Sequence, residues 1–175
     1  SSDVCSSDLR RGYLNGEIYS GKVLTLSPAL AVTYEVKDKL TVKPTYRFSN
    51  YSARYKNFTI DEADNHFSTA KLELTNYFFK GNLVIGNDFE YNRNSNIAPG
   101  FKRDYYFWNT SIGYSFFNKQ LTAKVKVYDV LNQNQSVKRI LMPTYIEDRE
   151  DLVLRRYLML SLSMKLNKFA GKKTP

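Results

Sequence analysis

Alternate residues near the end of the chain are apolar: Leu158, Leu160, Leu162, Met164 and Leu166, with Ser161, Ser163, Lys165 and Asn167 on the opposite parity. Side chains of a β-strand point alternately to its two faces, so this segment has one apolar and one polar face over about nine residues. A tilted strand needs that length to cross a bilayer. Strands in soluble domains usually stop after about five or six residues. The pattern predicts a transmembrane barrel strand with Leu158, Leu160, Leu162, Met164 and Leu166 facing lipid.

The same period recurs six more times. Leu24, Leu30, Val32 and Tyr34 oppose Ser27, Thr33 and Glu35; Val42, Tyr46 and Phe48 oppose Lys43, Thr45 and Arg47. Leu72, Leu74 and Phe78 oppose Lys71, Glu73 and Thr75; Leu83, Ile85 and Phe89 oppose Gly86, Asp88 and Glu90. Tyr106, Trp108, Ile112, Tyr114 and Phe116 oppose Asn109, Ser111 and Gly113; Leu121, Val125 and Val127 oppose Thr122, Lys124 and Lys126. Strands are therefore expected at about 24–36, 40–55, 67–79, 83–92, 105–117, 121–131 and 153–168.

Connections sort by length. Lys37-Asp38-Lys39, Lys80-Gly81-Asn82 and Asn118-Lys119-Gln120 read as tight turns, Gly-Asn being a favoured two-residue hairpin pair. They alternate with long polar connections at Lys56–His66, Arg93–Asp104 and Asn132–Asp151. Outer-membrane barrels have this asymmetry, with short periplasmic turns and longer external loops. The aromatics Tyr106, Trp108, Tyr114 and Phe116 add a dimension. Tyr106 and Phe116 lie about 33 Å apart along a strand, or roughly 25 Å in height at a tilt of about 40°, which matches the apolar band between two aromatic girdles. The expected fold is all-β: an antiparallel up-and-down meander of about seven long strands, an incomplete segment of a transmembrane β-barrel. Seven is odd, whereas bacterial single-chain barrels have even counts, so further strands are expected upstream; Leu14–Tyr19, weakly alternating, is a candidate for the end of an eighth.

Composition is compatible with this reading. The chain has 175 residues, with 14 Tyr and 11 Phe, and no apolar run long enough for a transmembrane helix. Residues 1–9, Ser-Ser-Asp-Val-Cys-Ser-Ser-Asp-Leu, repeat Ser-Ser-Asp and resemble a translated sequencing adaptor; the alternative is a genuine polar tail. Removing them takes away the single cysteine, Cys5, and leaves 26 basic against 15 acidic residues, a net charge of +11 rather than +9. The β-barrel strands then occupy 10–169, and 170–175 form a periplasmic tail. Lys37, Lys39, Lys43, Arg47, Lys119, Lys124 and Lys126 are dispersed, with no basic helix or run, which argues against nucleic acid as a partner. A basic lumen or rim facing anionic ligands or lipopolysaccharide phosphates suits the placement better.

No catalytic, cofactor-binding or metal set emerges, so no enzyme is expected. His66 stands alone and reads as a solvated loop residue. Glu147, Asp148, Glu150 and Asp151 cluster in the longest loop without calcium-loop spacing and read as solvated. Gly86 and Gly113 face inward, where a missing side chain relieves crowding or eases curvature.

Several motifs resemble the TonB-dependent-receptor-like outer-membrane barrel family of Bacteroidota. They are Trp108-Asn-Thr-Ser-Ile-Gly-Tyr-Ser-Phe116, Val127-Tyr-Asp-Val-Leu-Asn-Gln-Asn134, Thr144-Tyr-Ile-Glu-Asp148, Arg156-Tyr-Leu-Met-Leu-Ser-Leu162 and Phe169-Ala-Gly-Lys172. The resemblance implies a large barrel, about 22 strands in related transporters, with an N-terminal plug, taking up a bulky solute with energy relayed by TonB. The plug and TonB-contacting segment have no counterpart here and would lie in a missing N-terminal region. Expected partners are outer-membrane lipid and lipopolysaccharide, the barrel-assembly machinery, with Phe169 as a possible assembly-signal terminus, and an unknown solute. The alternatives are a non-transporting outer-membrane barrel for adhesion or envelope integrity, and a soluble β-barrel with an apolar ligand inside.

Overall fold

A computed structural model describes residues 5–14, 16–56, 62–141 and 145–165. Twelve strands are seen: β1 (Cys5–Leu14), β2 (Glu17–Leu26), β3 (Ala29–Ala31), β4 (Tyr34–Val36), β5 (Leu40–Lys56), β6 (Glu62–Phe78), β7 (Leu83–Asn94), β8 (Asp104–Phe116), β9 (Leu121–Tyr128), β10 (Ser136–Leu141), β11 (Ile146–Asp151) and β12 (Tyr157–Met164). The main sheet runs β1-β2-β5-β6-β7-β8-β9-β12, with β3 and β4 also on β5; β10 and β11 form a separate hairpin. Every pairing is antiparallel, so the main sheet is a meander with β1 and β12 at its edges.

The strand expected at 24–36 begins at Glu17 and is broken twice. β2, β3 and β4 keep one register against β5 (Leu26↔Asn50, Ala29↔Arg47, Tyr34↔Val42). The ladder thins where proline supplies no N–H. Phe48 N–H donates to the Pro28 carbonyl and Val32 N–H to the Pro44 carbonyl, but neither proline can reciprocate. Ahead of this strand, β1 pairs with β2 across a two-residue connection in which Gly16 has φ +83°. Asn15-Gly16 is a favoured hairpin dipeptide, and the stretch expected as the end of an eighth strand, Leu14–Tyr19, divides between β1 and β2. The main path therefore has eight strands rather than seven. Residues 5–9 lie within β1; strand pairing uses main-chain groups that any sequence supplies, so it does not bear on their origin.

The other boundaries shift for identifiable reasons. β6 starts at Glu62, not 67, because backbone pairing with β5 continues after apolar alternation ends; His66 therefore sits on a strand opposite Asn50. The Lys56–His66 connection shortens to residues 57–61. β9 stops at Tyr128 because Asp129 turns to φ +49°. Residues 152–156 are not strand, and β12 begins at Tyr157. The Gly81-Asn82 turn is a four-residue connection with Lys80 and Gly81 left-handed, since Phe78 pairs with Leu83. Leu166, Phe169 and 170–175 lie outside the described residues. No described helix is long and apolar enough to cross a membrane, which says nothing of strands.

Candidate functional site

Register sorts the side chains. Leu158 faces Val127 and Leu160 faces Val125; continuing across the sheet, Val125 meets Ile112 and Ile112 meets Ile85. Leu72 joins Phe89 to Pro44, and Leu30 meets Tyr46. Paired residues share a face, so one side of the sheet is apolar from β12 to β2. It is not packed into a core. Leu160 and Leu162 are each 72% exposed, and Ile112 is 48% exposed. The buried hydrophobics among the described residues are Val23, Ala53, Ile97 and Ala98, too few for a dry centre.

The loopward edge of this face is oblique. The row through Leu158 passes Val127, Thr110, Asn87, Leu74 and Val42 to reach Tyr34. Along the line that β4, β3 and β2 form in one register on β5, the apolar face continues loopward to Leu24 before Lys22 interrupts it. The climb is about ten residues over about six strand steps, a slope of roughly 50° that resembles the tilt of barrel strands.

The expected girdle residues share this face, and the register adds neighbours. Trp108 stacks on Phe89 with centroids 5.4 Å apart, and its indole N–H donates to Asn87 Oδ1 at 3.1 Å. Tyr91 and Tyr106 lie 5.1 Å apart, and the Tyr91 hydroxyl donates to Asp104 at 2.6 Å. Further along β8, Tyr114 and Phe116, the latter ten residues from Tyr106, pack edge to face at 4.7 Å. Phe89 and Tyr91 were missed as companions because only the β7–β8 register brings them beside Trp108 and Tyr106.

The opposite face is polar. Glu73 receives Lys71 at 2.9 Å and Lys43 at 3.5 Å, and Lys126 lies 4.3 Å above the Tyr128 ring. Thr69 donates to Asn92 at 2.8 Å, and Asn92 to Glu90 at 2.7 Å. Gly86 sits on this side, where an added Cβ would meet Ser111 Oγ at 2.9 Å; Gly113 has ordinary room.

The chain matches the family described as outer membrane protein beta-barrel family over residues 21–163. It belongs to that family. Its place is the bacterial outer membrane, so the soluble-barrel expectation is set aside; the exposed apolar face agrees. No curated protein and no solved structure matches the chain.

At the loop end of this family member, the Asp129–Asn134 segment forms a clamp. Asp129 is 4% exposed, and its carboxylate accepts the N–H groups of Gln133 and Asn134, both at 2.9 Å. Asn109 Oδ1 accepts Asp129 N–H, and the Trp108 carbonyl accepts Val130 N–H, fastening the segment to β8. Asn134 donates to the Leu154 carbonyl at 2.8 Å, and Gln135 to the Lys102 carbonyl at 2.8 Å. Residues 129–135 thus join β8, the 95–103 loop and the approach to β12. A cleft of about 360 Å³ opens beside it, lined by Phe101, Lys102, Gln135, Asp151 and Arg155 among others.

The acidic stretch expected to be a solvated loop lies largely on β11. Arg139 grips Asp148 through two hydrogen bonds of 2.6 and 2.7 Å, and Arg149 bonds Asp151 at 2.9 Å. Hydrogen bonding from Arg139 holds the Asp148 carboxyl below its ordinary value. Among the described residues, no group of three or more His, Cys, Asp or Glu side chains is arranged to hold a metal. His66 stacks loosely against Phe48 at 6.3 Å.

Proposed function

We propose that this chain supplies wall, lumen surface and external loops of a TonB-dependent-receptor-like barrel that binds and takes up a bulky solute. The observation carrying the reading is the clamp and its adjoining cleft at the long-loop end. A binding protein needs variable loops on a rigid scaffold. Asp129 and its partner Asn134 hold the approach to β12, and the neighbouring Gln135 holds the 95–103 loop, beside a cleft of mixed polar and apolar lining. The polar inner face adds a wettable wall, and no catalytic role is part of this reading. The girdle of Tyr106, Trp108, Tyr114 and Phe116 and the row Leu158–Leu166 would meet lipid, and Phe169 would serve the barrel-assembly machinery.

The test is solute-dependent growth or uptake in cells carrying the intact gene. Replacing Phe101 and Arg155 by Ala in the cleft is expected to raise the solute concentration needed for half-maximal uptake. Collapsing the proton-motive force is expected to stop uptake. Uptake indifferent to both would favour the non-transporting barrel, for which the ion-paired β10–β11 hairpin offers a stiff external projection.

A further inference from the structure

Immediately loopward of Leu24 and Leu26, the outward face changes from apolar to basic. Ser20 faces Arg11 on β1 and Lys56 on β5, and Lys22 is the next outward residue along β2. Neighbours lie about 5 Å across strands and about 7 Å along one. Three long cationic side chains therefore surround a small half-buried serine, and all three are exposed. The adjacent Arg54 is engaged by Asp64 in hydrogen bonds of 2.8 and 3.0 Å, and Glu62 pairs with it in register. Arg11, Lys22 and Lys56 have no carboxylate within ion-pair distance among the described residues. By contrast, Arg93 faces Asp104 at 3.9 Å, and Lys43 and Lys71 face Glu73.

We propose that Arg11, Lys22 and Lys56 form a binding site for the phosphate of a phosphorylated glycolipid in the outer leaflet. Its acyl chains would lie along Leu24, Leu26 and Leu30. The order of surfaces carries the inference: apolar, then cationic, on the same face and at the long-loop end. Phosphate is a strong acceptor for ammonium and guanidinium donors, and Ser20 leaves room for it. The site rests on outer-membrane placement and not on solute uptake, so its failure leaves the transport reading intact.

The full chain is extracted from outer membranes in mild detergent, and co-purifying phosphorylated glycolipid is measured per protein by mass spectrometry. Lys22→Gln with Lys56→Gln is expected to lower it at least threefold. Lys37→Gln with Lys39→Gln, at the opposite hairpin, is expected to leave it unchanged. Lys22→Arg with Lys56→Arg should retain the lipid, which separates lost charge from lost folding. In exchange against vesicles, the phosphorylated glycolipid should displace bound lipid more strongly than the same lipid stripped of phosphate. Unchanged lipid in the Gln pair, equal loss in the hairpin control, loss in the Arg pair, or equal displacement by both lipids would overturn the proposal.

Discussion

Replacing Ile112 by Arg puts a charge near the middle of the apolar face. Ile112 lies between the Tyr106–Trp108 and Tyr114–Phe116 aromatics and pairs with Ile85 and Val125. It is 48% exposed, so if this face met water the change would alter stability by about 0.5 kcal/mol or less. If the face meets hydrocarbon, an arginine at the bilayer midplane costs about 2–4 kcal/mol. That is about a 30- to 900-fold change in the folding equilibrium. Thr75→Arg is the control: it lies on the polar face between Thr41 and Gly86 and should cost little. Denaturant unfolding in phospholipid vesicles, followed by the fluorescence of Trp108, the single tryptophan, measures both. A cost below about 0.5 kcal/mol for Ile112→Arg, or a larger cost for Thr75→Arg, refutes the assignment of faces.

Asp129→Ala leaves the part-buried Gln133 and Asn134 N–H groups without their acceptor, a loss on the order of 1–3 kcal/mol. Hydrogen exchange should rise through residues 130–135 and 152–156 but not in β5–β7, whereas Asp129→Asn, keeping one carbonyl, should do less. The Asp148 carboxyl is held low by Arg139, so this pair's contribution is complete above the unfolded value near pH ~4 and is lost as pH falls through the lower folded value. Carbon-detected NMR should show Asp148 titrating below a free aspartate; titration at or above it contradicts the pairing. Gly16→Ala forces a left-handed residue with a Cβ at φ +83° and should cost about 1–2 kcal/mol, read as faster exchange in β1 and β2 alone.

Strands were legible where one face must be apolar and the other polar. The periodic stretches Leu40–Phe48 and Tyr106–Phe116 fixed their strands closely because lipid and lumen impose opposite demands on neighbours. That signal fades where a strand continues beyond the apolar face. Asp64 and His66 pair across β6 and β5 as regularly as Leu72 does, yet nothing requires them to alternate in polarity. The β10–β11 hairpin was missed for the same reason: its ladder of Arg139, Asp148 and Arg149 is polar and resembles a loop in sequence. Pro28 and Pro44 break a ladder only when they fall opposite the right partners, which register decides. The Asp129–Asn134 motif was visible as a resemblance, but its work is main-chain capping across segments far apart in sequence. Phe89 and Tyr91, the ring neighbours of Trp108 and Tyr106, likewise became identifiable only through pairing.

Trp108 offers the most direct measurement of which face meets lipid, because it is the single tryptophan and stands among the aromatics of the apolar face. With the protein in vesicles of brominated phospholipid, its fluorescence should be strongly quenched, more by bromines near the headgroup than by those deep in the chains, and little by aqueous acrylamide. Efficient acrylamide quenching with no effect of brominated lipid would place the indole in water and contradict an outward apolar face.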